Sequence, residues 1–261
     1  MKKGFTLVEL SIVLVIVGIL IGGILVGQTL IDSSKITAQV AQFQQFDAAV
    51  NAFRSKYKYL PGDAPAFGGD GTGAIMSSPG NDGASYVEGR YFAYEICKFW
   101  TSLDASQFPG SAGCVLKIAS TSGSTKNVPL AKLGKNGSFI IAQSLTINGY
   151  HVPMKTVKNY YAIIDGSQAK TSPGTNFFST TTSTNSAVRP IDLLALDQKM
   201  DDGVANAGDV ASGAMGDFGG GKGGIVPTPL TSCSTGATYT TVDTYECTPL
   251  VRLGSTGGTK L

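Results

Sequence analysis

Gly4-Phe5-Thr6-Leu7-Val8-Glu9-Leu10 opens an apolar run that continues to about Gly27, and Glu9 is the only charged side chain between Phe5 and Ile31. A bilayer core is crossed by about 20 apolar residues in helical form, so this run is long enough to span one. A carboxylate near its start is costly to bury in hydrocarbon and calls for a partner of opposite charge. Lys2 and Lys3 precede the run, while Asp32 follows it before Lys35. That asymmetry predicts a cytoplasmic N-terminus, with the rest of the chain facing outward.

Beyond the run the helix is expected to continue. Apolar residues fall at Ile36, Val40, Phe43, Phe46, Val50, Phe53 and Tyr57, the three-and-four spacing of an amphipathic helix. No proline or glycine interrupts the chain between Gln28 and Leu60. A single helix from Phe5 to about Tyr57 follows, apolar all round in its first half and one-sided in its second. Leu60-Pro61-Gly62-Asp63 then stops it.

The first residues resemble the processing site of type IV pilins and of type II secretion pseudopilins, a family of filament subunits. The resemblance rests on Gly4-Phe5-Thr6-Leu7-Val8-Glu9, with glycine, aromatic residue and glutamate set directly before a spanning helix. It implies cleavage between Gly4 and Phe5 by a prepilin peptidase and N-methylation of Phe5. It also implies that Glu9 pairs with the N-terminal ammonium of a neighbouring subunit during assembly. Partners implied in the same way are other pilin subunits, an inner-membrane platform protein and an assembly ATPase. The family often has a proline in the spanning segment, where this chain has Gly18, Gly22, Gly23 and Gly27. An ordinary secretory signal does not fit, because no small-residue cleavage site follows the apolar core. A signal anchor holding an unrelated periplasmic binding protein is the reading from another class.

These readings predict an α+β, pilin-like fold. Residues 1–4 are a leader, 5–31 a transmembrane or filament-core helix, and 32–60 its amphipathic half. Residues 61–261 form a head built on an antiparallel β-sheet. Composition agrees: 34 glycines and only 15% charged residues describe loops and strands with little surface charge. The chain has 20 basic and 18 acidic side chains, and loss of Lys2 and Lys3 leaves 18 of each. A neutral chain is not an electrostatic nucleic-acid binder, and Lys126, Lys132, Lys135, Lys155 and Lys158 are read as solvated loop lysines.

Four cysteines in an oxidising compartment point to disulfides. Three pairings exist. Cys97 with Cys114 and Cys233 with Cys247 are preferred, since each closes a local loop. The family's C-terminal disulfide matches the second pair in position. A metal site built on the one histidine, His151, has no companion ligands.

In the head, residues 88–104 read as a helix with Phe92, Ile96, Phe99 and Leu103 inward, and Tyr91, Glu95 and Lys98 outward. Trp100 reads as a packing anchor. Gly69-Asp70-Gly71-Thr72-Gly73 and Gly80-Asn81-Asp82-Gly83 look like calcium loops, but no glutamate closes them at the EF-hand position. They are taken as glycine-rich turns. Strands are expected at residues 114–119, 138–145, 146–151 and 160–164, with an exposed loop at 167–188. Pro190 opens a helix that runs to Met200 and ends at Asp201-Asp202-Gly203. Asp197, Asp201, Asp202 and Asp209 are the calcium candidates, as in some pseudopilins; otherwise no cofactor is expected. From residue 216 the chain reads as a glycine-rich tail, with a hairpin at 237–243 and frayed residues from 254. One histidine, no GxSxG, no HExxH and no phosphate loop make a non-enzymatic, structural protein the expectation.

Overall fold

The computed structural model describes residues 6–75, 94–103, 128–145, 158–166, 186–218, 222–226 and 233–256. The expected strands at 114–119 and 146–151, residues 167–185 of the loop expected at 167–188, and the Cys97 to Cys114 disulfide, which needs Cys114, lie outside the described residues. Gly4 and Phe5 also lie outside them. The rest of the loop expected at 167–188, Ser186, Ala187 and Val188, is buried rather than exposed, because it bonds the backbone of Cys247.

Helix α1, Leu7–Tyr57, is one unbroken helix of 51 residues, about 77 Å long at 1.5 Å per residue. It starts at Thr6 and ends at Lys58, whose backbone turns left-handed and donates to the Arg54 carbonyl. From Leu7 to Ile31 its large apolar side chains all stand exposed. From Ile36 onward one face is buried through Ile36, Gln39, Phe43, Asp47, Val50 and Phe53. The expected stripe holds at Ile36, Phe43, Val50 and Phe53. Val40 and Phe46 are only partly buried, because Gln39 and Asp47 occupy the centre of the contact.

The polar residues in that face are satisfied by distant backbone. Gln39 Oε1 accepts from Lys132 N at 2.8 Å and Leu133 N at 3.1 Å, while Gln42 Nε2 donates to Leu130 O at 2.8 Å. Two adjacent glutamine-bearing turns therefore hold the segment 130–133 onto the helix, doing for it what a strand partner would otherwise do.

After α1 the chain turns at Leu60-Pro61-Gly62-Asp63. Leu60 joins the core as expected. Gly62 has φ +84°, and a Cβ there would lie 2.5 Å from the Glu95 carbonyl, so only glycine lets helix α2 pack onto this turn. Helix α2, Tyr94–Leu103, buries Ile96, Phe99 and Trp100. Trp100 Nε1 donates to Ile140 O at 3.1 Å and its ring stacks near Tyr161, which confirms the anchor. Glu95 corrects the sequence reading: it is fully buried, not outward, because the 62–70 loop folds over it and Asp70 N donates to its Oε1 at 2.9 Å. Lys98 donates to the Gly68 carbonyl.

Among the described residues the sheet has five strands, β1 Phe139–Leu145, β2 Lys158–Ile164, β3 Val210–Phe218, β4 Lys222–Val226 and β7 Thr248–Arg252. Their spatial order is β1-β2-β7-β3-β4 and every pairing is antiparallel. Strands β3, β4 and β7 correct the expectation of a glycine-rich tail from residue 216. A two-stranded ribbon, β5 Ser234–Thr235 and β6 Thr238–Tyr239, stands apart from the sheet. It replaces the hairpin expected at 237–243, the turn falling at Gly236-Ala237 instead. The disulfide joins Cys233 to Cys247 with Cα atoms 5.1 Å apart. The last described residues are not frayed: Leu253 and Gly254 are buried.

Helix α3, Pro190–Met200, starts at proline as expected, with Leu193 and Leu196 buried against α1 and the sheet. Arg189, at its N-cap, bonds Asp192 at 2.7 and 2.9 Å, Asp243 at 3.0 Å and Asp32 at 3.3 Å. One guanidinium thus joins the start of α3, the loop before β7 and the point where α1 leaves the head.

Candidate functional site

The N-terminal end of α1 carries the residues that the sequence singles out. Thr6 N and Thr6 Oγ1 each donate to Glu9 Oε2 at 2.8 Å, and Glu9 N donates back to Thr6 Oγ1 at 3.3 Å. This is a complete capping box: two of the helix's orphan N–H groups are satisfied reciprocally. Glu9 also lies in the first turn, where a negative charge opposes the positive end of the helix dipole. Both residues are exposed.

Between Leu7 and Ile31 the helix extends about 37 Å, more than the roughly 30 Å of a hydrocarbon core. Its apolar length is free of packing inside the chain. A Cβ placed on Gly18, Gly22, Gly23 or Gly27 would meet nothing within 4 Å. Packing within one chain therefore gives no reason for four helix-weakening glycines, each about 1 kcal/mol less favourable than alanine. The arrangement is an exposed apolar rod, compatible with a membrane anchor.

The acidic calcium candidates are only partly brought together. Asp197, Asp201 and Asp202 place carboxylate oxygens within 4.8 Å of one another. Asp209 turns away to Arg252, 3.5 Å off, and gives its backbone N–H to Asp201 Oδ2. Asp197 is buried, with Oδ1 accepting from Gly203 N at 3.1 Å and Oδ2 from Tyr239 O–H at 2.7 Å. Asp202 Oδ1 accepts from Val204 N. Each carboxylate thus closes the turn at the end of α3, and Tyr239 ties that turn to β6. Gly203, at φ +76°, supplies the left-handed exit expected there.

Burial pushes the Asp197 carboxyl up to about 6, with the neighbouring Asp202 and Asp201 charges adding to the rise. An acid whose folded pKa exceeds its ordinary value contributes most below that ordinary value, and the contribution fades as pH rises through about 6. Wild-type stability relative to Asp197→Asn is therefore expected to increase as pH falls from about 7 to about 4. Melting temperatures of both proteins across that range check it. A constant difference would remove the assignment.

The residues missed by sequence reading are the buried acids Asp47, Asp63 and Glu95. Asp47 finds its partners more than 100 residues away and Glu95 takes Asp70 N from 25 residues back, while Asp63 bonds Gly73 N across a loop, and none of these pairings follows a helix or strand period.

Residues 1–25 match the family model described as the prokaryotic N-terminal methylation motif. No curated protein and no solved structure matches the chain. With that match in place over the capping box and the exposed apolar helix, residues 1–25 carry the prepilin-type signal of type IV pilins and pseudopilins, and the long helix followed by an antiparallel sheet is an α+β architecture consistent with a pilin-like fold.

Proposed function

We propose that the chain is a structural subunit, a minor or specialised pilin, of a type IV pilus-like filament. In this reading prepilin peptidase cuts between Gly4 and Phe5 and the new Phe5 amine is methylated. The subunit waits in the inner membrane with its head in the periplasm, and the platform protein and assembly ATPase lift it into the polymer. The observation that carries the proposal is the continuous α1, in which a methylation motif leads into an unpacked apolar half and then into a half docked on the head. A plain membrane anchor needs no rigid continuation into its domain. A filament does, because the packing of helices in its core must position every head.

The capping box is compatible with processing. Removal of residues 1–4 leaves the Thr6 amide and hydroxyl untouched, so Glu9 keeps its helix-capping contacts. The new Phe5 ammonium would lie at the same helix end. In the filament Glu9 would meet the ammonium of an adjacent subunit, and each charge would neutralise the other in a low-dielectric core. Such a pair sets register more than it adds stability, since losing one partner leaves the other charge buried alone. The four glycines then have a role between chains, permitting close approach or local loosening of the packed helices. The size of the chain favours a specialised subunit over a major one.

Intact-mass and N-terminal analysis of protein purified from its own membranes tests this. The expected chain begins at N-methylated Phe5. A chain beginning at Met1, or cut after the apolar run, would make it an anchored or secreted domain. Labelling of the head on intact cells then separates the filaments: label on surface fibres supports a pilus, and label reached only after opening the outer membrane assigns it to a type II secretion pseudopilus.

A further inference from the structure

We propose that Asp63, Asp70 and Glu95 form a calcium site that fastens the turn after α1 to helix α2. Carboxylate oxygens of all three lie within 4.8 Å of one another. Oxygens sharing one calcium ion can be no further apart than twice the calcium–oxygen distance, about 5 Å, whereas the limit for magnesium is about 4.2 Å. The donors are all oxygen, with no imidazole or thiolate, which suits a hard cation.

Asp63 provides the independent sign of a missing ligand. It is 1% exposed. Its Oδ2 accepts from Gly73 N at 3.1 Å, but Oδ1 is buried with no hydrogen-bond partner. A buried carboxylate oxygen left without any donor is costly, and a bound cation is the direct remedy. Arg54 and Lys58 border the cleft that reaches Asp63, yet neither forms an ion pair with it. Burial, with the adjacent Asp70 charge, pushes the Asp63 carboxyl up to about 6.

The remaining geometry suits a site open on one side. Glu95 is fully buried on α2, and its Oε1 holds the Asp70 backbone N–H at 2.9 Å. Asp70 is accessible, and its Oδ1 receives Thr72 N at 3.1 Å and Thr72 Oγ1 at 2.7 Å. The glutamate absent from the closing position of the Gly69–Gly73 loop is thus supplied by a helix 25 residues further along the chain. Water would complete the shell through the Asp70 side. The site stands apart from the proposed filament role and does not depend on polymerisation.

Full-length protein in detergent, stripped with chelator, is titrated with calcium chloride by calorimetry or radiocalcium dialysis. One calcium per chain is expected, with Kd on the order of 10⁻⁴ M, typical of extracellular calcium modules. Saturation is expected to raise Tm by about 5 °C. Asp70→Asn, at an accessible position that leaves the fold intact, is expected to weaken binding about tenfold or more, and Glu95→Gln likewise. Asp202→Asn, at the end of α3, is expected to leave it unchanged. No uptake by the wild type up to about 10 mM calcium overturns the site. So does uptake that survives Asp70→Asn, or uptake lost through Asp202→Asn alone.

Discussion

Replacing Asp47 by alanine is expected to lower the stability of the folded head by about 3–5 kcal/mol, the largest effect of any single change outside the apolar core. Asp47 lies in the docked half of α1 and is 1% exposed. Its Oδ1 accepts from Tyr161 O–H at 3.1 Å and Gly254 N at 2.9 Å; its Oδ2 accepts from Thr256 N at 3.0 Å and from Thr256 Oγ1. One carboxylate therefore joins the helix to the middle of β2 and to the turn that follows β7. Alanine leaves these donors facing a void. Two are backbone N–H groups that cannot rotate toward water, and Tyr161 is completely buried.

Graded variants separate the contributions. Tyr161→Phe removes one donor and its need together, and is expected to cost about 1 kcal/mol. Asp47→Asn keeps the shape but turns one acceptor into a donor facing Thr256 or Gly254, with an expected cost of about 2–3 kcal/mol. Thermal unfolding of the full-length chain in detergent measures the series. The Asp47→Ala protein is expected to melt roughly 10 °C lower. If all three variants lay within about 0.5 kcal/mol of wild type, the network would be ornamental and hydrophobic packing alone would hold α1 in place.

This network also shows where sequence reading stops. Helix α1 was legible because a 3.6-residue period and the absence of glycine or proline from 28 to 60 leave no other structure. The processing motif was legible because it is contiguous. The buried polar positions were not: Asp47 finds its partners 114, 207 and 209 residues away. Within the stripe, Val40 and Phe46 looked like better core residues than Gln39 and Asp47, and only long-range partners reverse that order.

Strand β7 was missed for a related reason. Thr248-Pro249-Leu250-Val251-Arg252 is short, and a proline argues against a central strand. Yet β7 lies between β2 and β3. Its pairing with β2 covers only Leu250 to Arg252, and Pro249 faces Ser212 on β3 alone. The proline stands where the ladder to β2 has ended, so no donor is lost there. Strands β3 and β4 hide in glycine for a different reason. Gly213, Gly216, Gly223 and Gly224 blur the alternation of side chains, and their pairing is backbone to backbone. Glu95 failed through its charge: its helix position lies one turn before Phe99 on the buried side, and a buried acid is unexpected until Asp63 and Asp70 are placed beside it.

Loss of the Cys233 to Cys247 disulfide is the other large effect, expected to cost about 3 kcal/mol, the value for a loop of about 15 residues in the chain-entropy model. The consequence should be localised. Cys247 sits one residue before β7 and exchanges backbone hydrogen bonds with Val188, at 3.0 and 3.1 Å, while its carbonyl also takes Ala187 N. Cys233 opens the β5–β6 ribbon and its carbonyl accepts from Thr240 N at 2.9 Å. The bond thus ties a ribbon with only two residues per strand to the entrance of the sheet's central strand. Tyr239 carries that ribbon onward to Asp197 at the end of α3. Because both sulfurs are fully buried, the paired change Cys233→Ala with Cys247→Ala is the better test; serine would add buried hydroxyls without partners. In hydrogen exchange, the Thr240 and Ala205 amides, which bond Cys233 O and Ala237 O, should lose protection first, because a two-stranded ribbon is marginal alone. Amides of β1 and β2 should exchange only through global unfolding, faster in proportion to the lost stability. Uniform loss at every site would mean the disulfide acts on the unfolded chain alone. Retained protection at Thr240 and Ala205, with an unchanged Tm, would mean that the hydrogen bonds around Val188 and Asp197 hold the ribbon without it.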